Sequence, residues 1–166
     1  MKRPTLPARL PGRPVVVVAV TLLALAALAW QAMAWYGDRR DDDRRAAAVE
    51  VARAQVLDLT TLDSASIDDK LAAMGKRLSG DFKRQFDGFS STFSDVVNDD
   101  KIRATGEVKS VALDHYDGDT ASVLVATSAA VTTGTSKKAS EKDYRMKVAL
   151  ERKDDDWLIT GMEFVG

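Results

Sequence analysis

The pattern of hydrophobic and polar positions divides the 166-residue chain into three parts. A nearly unbroken apolar run extends from Val15 to Tyr36. Apolar positions at helical spacing follow it, and from about residue 101 the spacing changes to two. This order predicts one long apolar segment, then amphipathic helices, then strands.

The apolar run has the length of a membrane-spanning helix. At about 1.5 Å per residue it would be roughly 33 Å long, against a hydrocarbon core of about 30 Å. Trp30, Trp35 and Tyr36 lie at its far end, as interfacial anchors do. Basic residues without acids precede it, which favours a cytoplasmic N-terminus. We predict a cytoplasmic tail at 1–14, a transmembrane helix at 15–36 in the plasma (inner) membrane, and an extracytoplasmic remainder.

A cleaved signal peptide is the alternative interpretation of this segment. Ala32-Met33-Ala34 fits a small-x-small cleavage pattern. However, the preceding apolar stretch exceeds the roughly 7–15 residues of a signal core, and two large tryptophans surround the site. A retained anchor is therefore favoured, and both interpretations export the domain.

Helical periodicity follows the apolar run. Residues 37–62 are predicted to form a charged juxtamembrane stalk and a first helix, and residues 63–166 the remainder of the domain. A short second helix is expected after Ser66, and a third begins near Asp81. Four aromatic positions of the third helix share one face: Phe82, Phe86, Phe89 and Phe93. Such a stripe is either core or the floor of an apolar pocket.

Alternation typical of strands begins after Asn98. It appears in four runs, residues 101–113, 120–132, 143–152 and 157–164. Asp117-Gly118 marks a hairpin, with His115 in the same predicted turn, and parity slips near Ser110 and Gly161 predict bulges. Trp157 opens the last run, where it either packs in the core or lines a pocket.

Helices segregated from antiparallel strands indicate an α+β domain. We expect about three helices packed on a bent four-stranded antiparallel sheet. That arrangement is a half-open cone similar to the nuclear-transport-factor-2 (NTF2) and VirB8 folds.

Composition and charge exclude several kinds of partner and site. The net charge of −1 combines +4 in residues 1–37 with −5 in the remainder, so a nucleic-acid partner is not expected. The chain has no cysteine and one histidine, His115, which excludes disulfides, cysteine nucleophiles and multi-histidine metal sites. Asp114, Asp117 and Asp119 lack the spacing of a calcium loop. We expect no enzyme activity, no catalytic or metal site and no cofactor.

The chain resembles the Mce-associated membrane proteins of actinobacteria, which accompany mammalian-cell-entry (Mce) lipid transporters. Five segments carry the resemblance, in this order: Leu59–Asp63, Gly80–Phe82 with Phe86, Gly118–Ala126, Tyr144–Val148, and Trp157–Ile159 through Glu163–Val165. The turn at 153–156 departs from the family because it lacks the glycine often seen before the tryptophan. The resemblance implies a non-enzymatic accessory protein that stabilises or assembles the importer, with Mce subunits or the permease as partners.

Three other functions stay open at the level of sequence. A lipid-binding module would use the aromatic face of the third helix and Trp157 to border an apolar pocket. A secretion-system subunit of the VirB8 type would share the anchor and topology. An enzyme on the same fold would need a polar dyad pointing inward, and none is recognisable.

Overall fold

The computed structural model describes residues 13–136 and 138–166. The chain divides into two compact units, Met1–Asp41 and Asp42–Gly166. The elements follow in the order α1 (Arg13–Thr60), β1 (Leu62–Asp63), α2 (Ile67–Gly75), α3 (Gly80–Asp99), β2 (Arg103–Tyr116), β3 (Thr120–Thr132), β4 (Ser140–Lys153) and β5 (Asp156–Phe164).

The first unit is helical from Arg13 onward. In the part of the chain whose side chains the structure describes, no helix is both long enough and apolar enough to cross a membrane. Trp30, one of the predicted interfacial anchors, is exposed. The other two, Trp35 and Tyr36, lie on α1, but their side chains are outside the described part of the structure. Residues 1–12 of the predicted tail are also outside it.

In the second unit, the end of α1 packs by the apolar stripe that its spacing predicted. Ala48, Ala52 and Val56 are fully buried, and Val49 and Leu59 pack at the edge of the same cluster. These residues recur every three or four positions, so they project from one face of the helix. The prediction of an amphipathic first helix is confirmed.

The second and third helices are attached to the sheet through the short connection between them. Leu78 forms an isolated parallel bridge with Ile159 of β5. The backbone N–H of Ser79 donates to the Ile159 carbonyl at 2.9 Å, and the Ile159 N–H donates to the Arg77 carbonyl at 2.8 Å. These bonds satisfy backbone groups at the end of α2 and fix where α3 begins.

The sheet is a curled antiparallel meander with the strand order β1-β2-β3-β4-β5. Its bulges lie where the parity slips predicted them. The pairing shifts between Val108 and Ser110 on β2, and between Ile159 and Gly161 on β5. A further irregularity between Leu113 and His115 bends β2 again. The expectation of an α+β domain with a bent antiparallel sheet is confirmed.

Two details of the predicted sheet were wrong. The sheet has five strands rather than four, because Leu62 and Asp63 leave α1 and pair with Ala104 and Arg103 of β2. His115 lies within β2 rather than in the turn that follows it. The second difference arises because the bulge lets β2 continue to Tyr116, so that the turn contains only residues 117–119.

Candidate functional site

The aromatic face of α3 is the first component of the site. The rings of Phe86 and Phe89 are 5.6 Å apart at 89°, and those of Phe89 and Phe93 are 5.7 Å apart at 65°. Both pairs have the edge-to-face geometry that aromatic quadrupoles favour. Phe86 is buried, whereas Phe89 is 46% exposed. The face is therefore partly core and partly accessible surface.

A cavity of about 140 Å³, called here the aromatic cavity, lies against three of the four phenylalanines on this face of α3. It is bordered by α1, α2, α3 and the β4–β5 hairpin, through Phe82, Phe86 and Phe89, the methionines Met74, Met146 and Met162, and also Gln55, Leu59, Glu163 and Phe164. Its volume is close to the roughly 150 Å³ of an engineered apolar cavity that admits benzene. The fold thus leaves room for a small apolar group beside the core.

A second cavity, of about 240 Å³, adjoins the first. Leu59, Met146 and Phe164 line both cavities, and Phe93 lines only the second. Phe164 is 70% exposed, and its ring lies 5.9 Å from that of Tyr144, which also lines the second cavity. The two cavities are therefore neighbours that share these three side chains.

Gln55 supplies the buried polar group of the aromatic cavity. Its side chain is 1% exposed, and its Oε1 has no hydrogen-bond partner in the described part of the chain. A buried acceptor left without a donor costs about 1–3 kcal/mol, so proteins seldom retain one. The remaining polar lining residue, Glu163, is exposed to solvent.

Trp157 lies in the main hydrophobic core and not beside the two cavities. It is 4% exposed within the main core and lines neither of these two cavities. Its ring lies 6.2 Å from that of Tyr116, and the guanidinium of Arg45 lies 4.9 Å from the Tyr116 centroid. Of the residues predicted to border one pocket, Phe82, Phe86 and Phe89 are together, Phe93 lines the neighbouring cavity, and Trp157 is core.

Sequence reasoning missed Gln55 and the three methionines. A signal for Gln55 was present, because it lies on the apolar stripe of α1, seven residues after Ala48 and one before Val56. A polar residue at such a position is buried if the stripe is buried. The methionines had no such signal, since ordinary core packing uses the same residue type.

The ionisable groups with altered pKa values lie on the sheet, away from the aromatic cavity. Asp114 accepts hydrogen bonds from Ser122 Oγ at 2.7 Å and Lys147 Nζ at 3.0 Å, and these contacts lower its pKa. A hydrogen bond to Glu107 raises the pKa of Lys109. Both arrangements are surface ion pairs.

The acidic turn before β3 is used structurally. Asp117 accepts from Thr120 Oγ1 at 3.0 Å, and Asp119 accepts from the Arg152 guanidinium at 2.5 Å. Within the described ranges, no group of three or more His, Cys, Asp and Glu side chains is arranged to hold a metal ion. The contact between Arg152 and Asp119 ties the β2–β3 turn to β4.

Comparison with known proteins assigns the family. The family model described as "Uncharacterized protein Rv1363c/MT1408-like" matches residues 13–166. The chain belongs to this family. It is 28% identical over 87 residues to the protein Rv1363c of Mycobacterium tuberculosis (strain ATCC 25618 / H37Rv), an alignment covering 52% of this chain and 33% of that relative. The chain thus spans about a third of the curated relative's length.

Solved structures share the fold at low identity. A periplasmic fragment of TraM is similar with a TM-score of 0.57 and 11% identity, over 70% of this chain and 93% of the fragment. CagV, a VirB8 homologue of the type IV secretion system of Helicobacter pylori, gives a TM-score of 0.56 and 10% identity, over 71% of this chain and 97% of CagV. The expected likeness to VirB8 and NTF2 domains is confirmed for the fold.

Proposed function

We propose that this protein is a non-enzymatic, single-pass membrane accessory protein whose extracytoplasmic domain stabilises or assembles an Mce-type lipid import complex. The observation that carries the proposal is the fold of residues 42–166, which is shared with periplasmic domains such as that of TraM. The resemblance to Mce-associated proteins favours the Mce assembly, and the mycobacterial relative is consistent with an actinobacterial protein.

The sequence supports the location. The apolar run from Val15 to Tyr36 has the length of a membrane span, and the four basic residues before it favour a cytoplasmic N-terminus. In this proposal the domain from Asp42 onward lies outside the cytoplasm, where it reaches the envelope-facing parts of a transporter.

The contacts of the polar residues favour a scaffold over an enzyme. Asp58 binds Lys70 at 3.5 Å and also Arg77, which joins α1 to α2 and the connection that follows it. Asp68 accepts from Ser94 Oγ at 2.5 Å, which joins α2 to α3. Side chains that could perform acid–base chemistry thus hold helices together.

A subunit of a VirB8-like secretion system is the second candidate. The TM-score of 0.56 to CagV, a VirB8 homologue of a type IV secretion system, favours it. The two candidates share an anchor and a domain, and they differ in which proteins the domain contacts.

Copurification separates these candidates. The tagged full chain is purified from native membranes in mild detergent, and the bound proteins are identified by mass spectrometry. We expect Mce subunits or their permease, with reduced transporter levels and lipid uptake in a deletion strain. Recovery of secretion-channel proteins would favour the second candidate, whereas unchanged transporter levels and uptake in the deletion strain would contradict the first.

A chimera provides the matched control. Residues 1–41 are replaced by the anchor of an unrelated single-pass protein, and residues 42–166, which form a compact unit, are kept. We expect the chimera to recover the same partners, because the proposal assigns binding to the domain. The unrelated anchor protein carrying the same tag should recover none of them.

A further inference from the structure

We infer that the exposed apolar surface of α3 and β5 is a docking site for a cationic amphipathic helix of a partner protein. The surface, called here the α3 patch, consists of Phe89, Phe93 and Val96 on α3 and Phe164 on β5. The inference rests on the proposed function in one respect, because it takes the domain to act by binding another protein. It does not depend on whether that protein belongs to an Mce importer or to a secretion system.

The exposed large apolar side chains of residues 42–166 are concentrated on the α3 patch. Of the four that are described, three belong to it, namely Phe89, Val96 and Phe164, and the fourth is Leu57 on α1. Phe93 joins them, because its ring lies 5.7 Å from that of Phe89 and it lines the second cavity together with Phe164. Clustered exposed apolar side chains mark interaction surfaces, and aromatic residues are prominent among the side chains that carry binding energy.

The spacing of the α3 patch matches the surface of another helix. Phe89, Phe93 and Val96 lie at positions i, i+4 and i+7, so they form a ridge about 10 Å long on one side of α3. Phe164 borders both cavities beside this ridge. An amphipathic helix carries its apolar side chains at the same intervals and packs along such a ridge.

The charges of α3 favour a cationic partner. Both basic residues of the helix form ion pairs with aspartates in its first half. Asp95 and Asp99, in the second half, are exposed and have no ion pair among the described residues, and Asp99 follows Val96 by three positions on the same side of the helix. Carboxylates near a helix C-terminus also meet the negative end of the helix dipole. A lysine or arginine from a partner would relieve both unfavourable interactions.

The surrounding charges leave this preference in place. Asp100 and Lys101 after the helix offset each other, as do Glu163 on β5 and Lys142 on β4, so the two α3 aspartates give the rim its sign. The chain after the apolar run carries a net charge of −5, which attracts a cationic partner over longer distances. A second copy of this chain, or an anionic lipid, would bring like charges against the rim and is disfavoured.

Site-specific photocross-linking in native membranes tests the docking site. p-Benzoylphenylalanine replaces Phe89 or Phe164 in the full chain, and Leu57, which is exposed but lines neither cavity, is the control position. We expect both patch positions to cross-link to one partner helix that carries Lys or Arg beside its apolar residues, and Leu57 to give no such adduct. Adducts to lipid, to a second copy of this chain or to a segment without basic residues would overturn the inference, as would the absence of adducts at both patch positions.

A double charge reversal tests the acidic rim. Asp95→Lys combined with Asp99→Lys should lower the adduct yield at least about tenfold, because like charges then face each other across the interface. The fold should not be weakened, since lysines are favourable near a helix C-terminus. Asp155→Lys combined with Asp156→Lys makes the same change in net charge at the β4–β5 turn and should leave the yield within about twofold. Equal losses in the two double variants would overturn the docking site.

A third variant tests the apolar part of the α3 patch. Phe164→Ser should be tolerated by the fold because the ring is largely exposed, yet it should lower the adduct yield at position 89 at least about tenfold. Leu57→Ser is the matched control and should leave that yield unchanged. An unchanged yield in Phe164→Ser would contradict a role for the patch in docking.

The outcomes for the docking site and for the proposed function are separable. If Mce subunits copurify equally with the original chain and with the Asp95→Lys, Asp99→Lys variant, the docking site is wrong and the proposed function stands. If the patch cross-links to a cationic helix of an unrelated complex, the docking site stands and the proposed function is wrong.

Discussion

Gly106 of β2 and Thr60, the last residue of α1, touch so closely that no side chain fits between them. A β-carbon on Gly106 would overlap Thr60 Oγ1 and stand 2.8 Å from its Cβ and 3.0 Å from its carbonyl carbon. The Gly106 N–H also donates to Thr61 Oγ1 at 3.2 Å. This contact brings the end of α1 onto the sheet and positions Leu59 and Gln55 beside the aromatic cavity.

The first prediction concerns this contact. Gly106→Ala should lower the free energy of unfolding by about 1–3 kcal/mol, because backbone atoms as well as a side chain must move. Gly88→Ala is the control, since a β-carbon there meets nothing within 4 Å on helix α3. That change should stabilise the protein by about 0.5–1 kcal/mol. Urea unfolding followed by circular dichroism measures both, and a neutral Gly106→Ala would contradict the close contact.

The second prediction concerns the cost of the buried amide. Gln55→Leu should raise the free energy of unfolding by about 1 kcal/mol, because the unsatisfied acceptor is removed from an apolar site. Gln85→Leu at an exposed position should change it by less than about 0.5 kcal/mol. Urea unfolding followed by circular dichroism measures both changes. Destabilisation by Gln55→Leu would show that the amide has a partner in the folded protein.

The third prediction separates core from cavity among the aromatic residues. Trp157→Ala should cost about 3–5 kcal/mol, because its ring is almost wholly buried among the core side chains. Phe89→Ala should cost less than half as much, since its ring is half-exposed beside the cavity. Melting temperatures of the two variants give the order, and equal losses would mean that Phe89 is core as well.

The fourth prediction follows from the lowered pKa of Asp114. The carboxylate is hydrogen-bonded by Ser122 and Lys147 in the folded state, and His115 adds a small favourable charge. Its contribution is therefore present above the ordinary aspartate pKa of about 3.9 and lost as the pH falls through the lower folded value. The melting-temperature difference between the original chain and Asp114→Asn should be constant near pH 7 and shrink below about pH 4. Asp155→Asn, in an exposed turn, should show no such trend.

The fifth prediction tests the orientation of the anchor. The chain has no cysteine, so single cysteines report on location without background. Asn98→Cys, at an exposed position near the end of α3, should react with a membrane-impermeant maleimide in intact cells. Arg3→Cys in the predicted cytoplasmic tail should react only after the cells are permeabilised. The reverse pattern would contradict an extracytoplasmic domain.

The sequence by itself determined the elements whose signals are local. Alternation predicted β3 from Thr120 to Thr132 with the bounds that the structure has, and the parity slip at Ser110 located a bulge. The spacing of the α3 phenylalanines predicted that they share one face, because residues three or four positions apart lie on the same side of an α-helix. The order of helices before strands was enough to predict an α+β domain.

The tertiary structure decided everything that depends on residues distant in the chain. Leu62 forms a strand only because Ala104 lies opposite it. Whether Phe89 or Trp157 borders a cavity depends on where α3 and β5 pack. Periodicity shows which face of an element is apolar, but not how deeply each residue on that face is buried. Gln55 became a site residue because Phe86 and Met146, far along the chain, close around it. Burial depends on such long-range contacts, so the cavity and the unsatisfied Gln55 oxygen beside it are visible only in the folded chain.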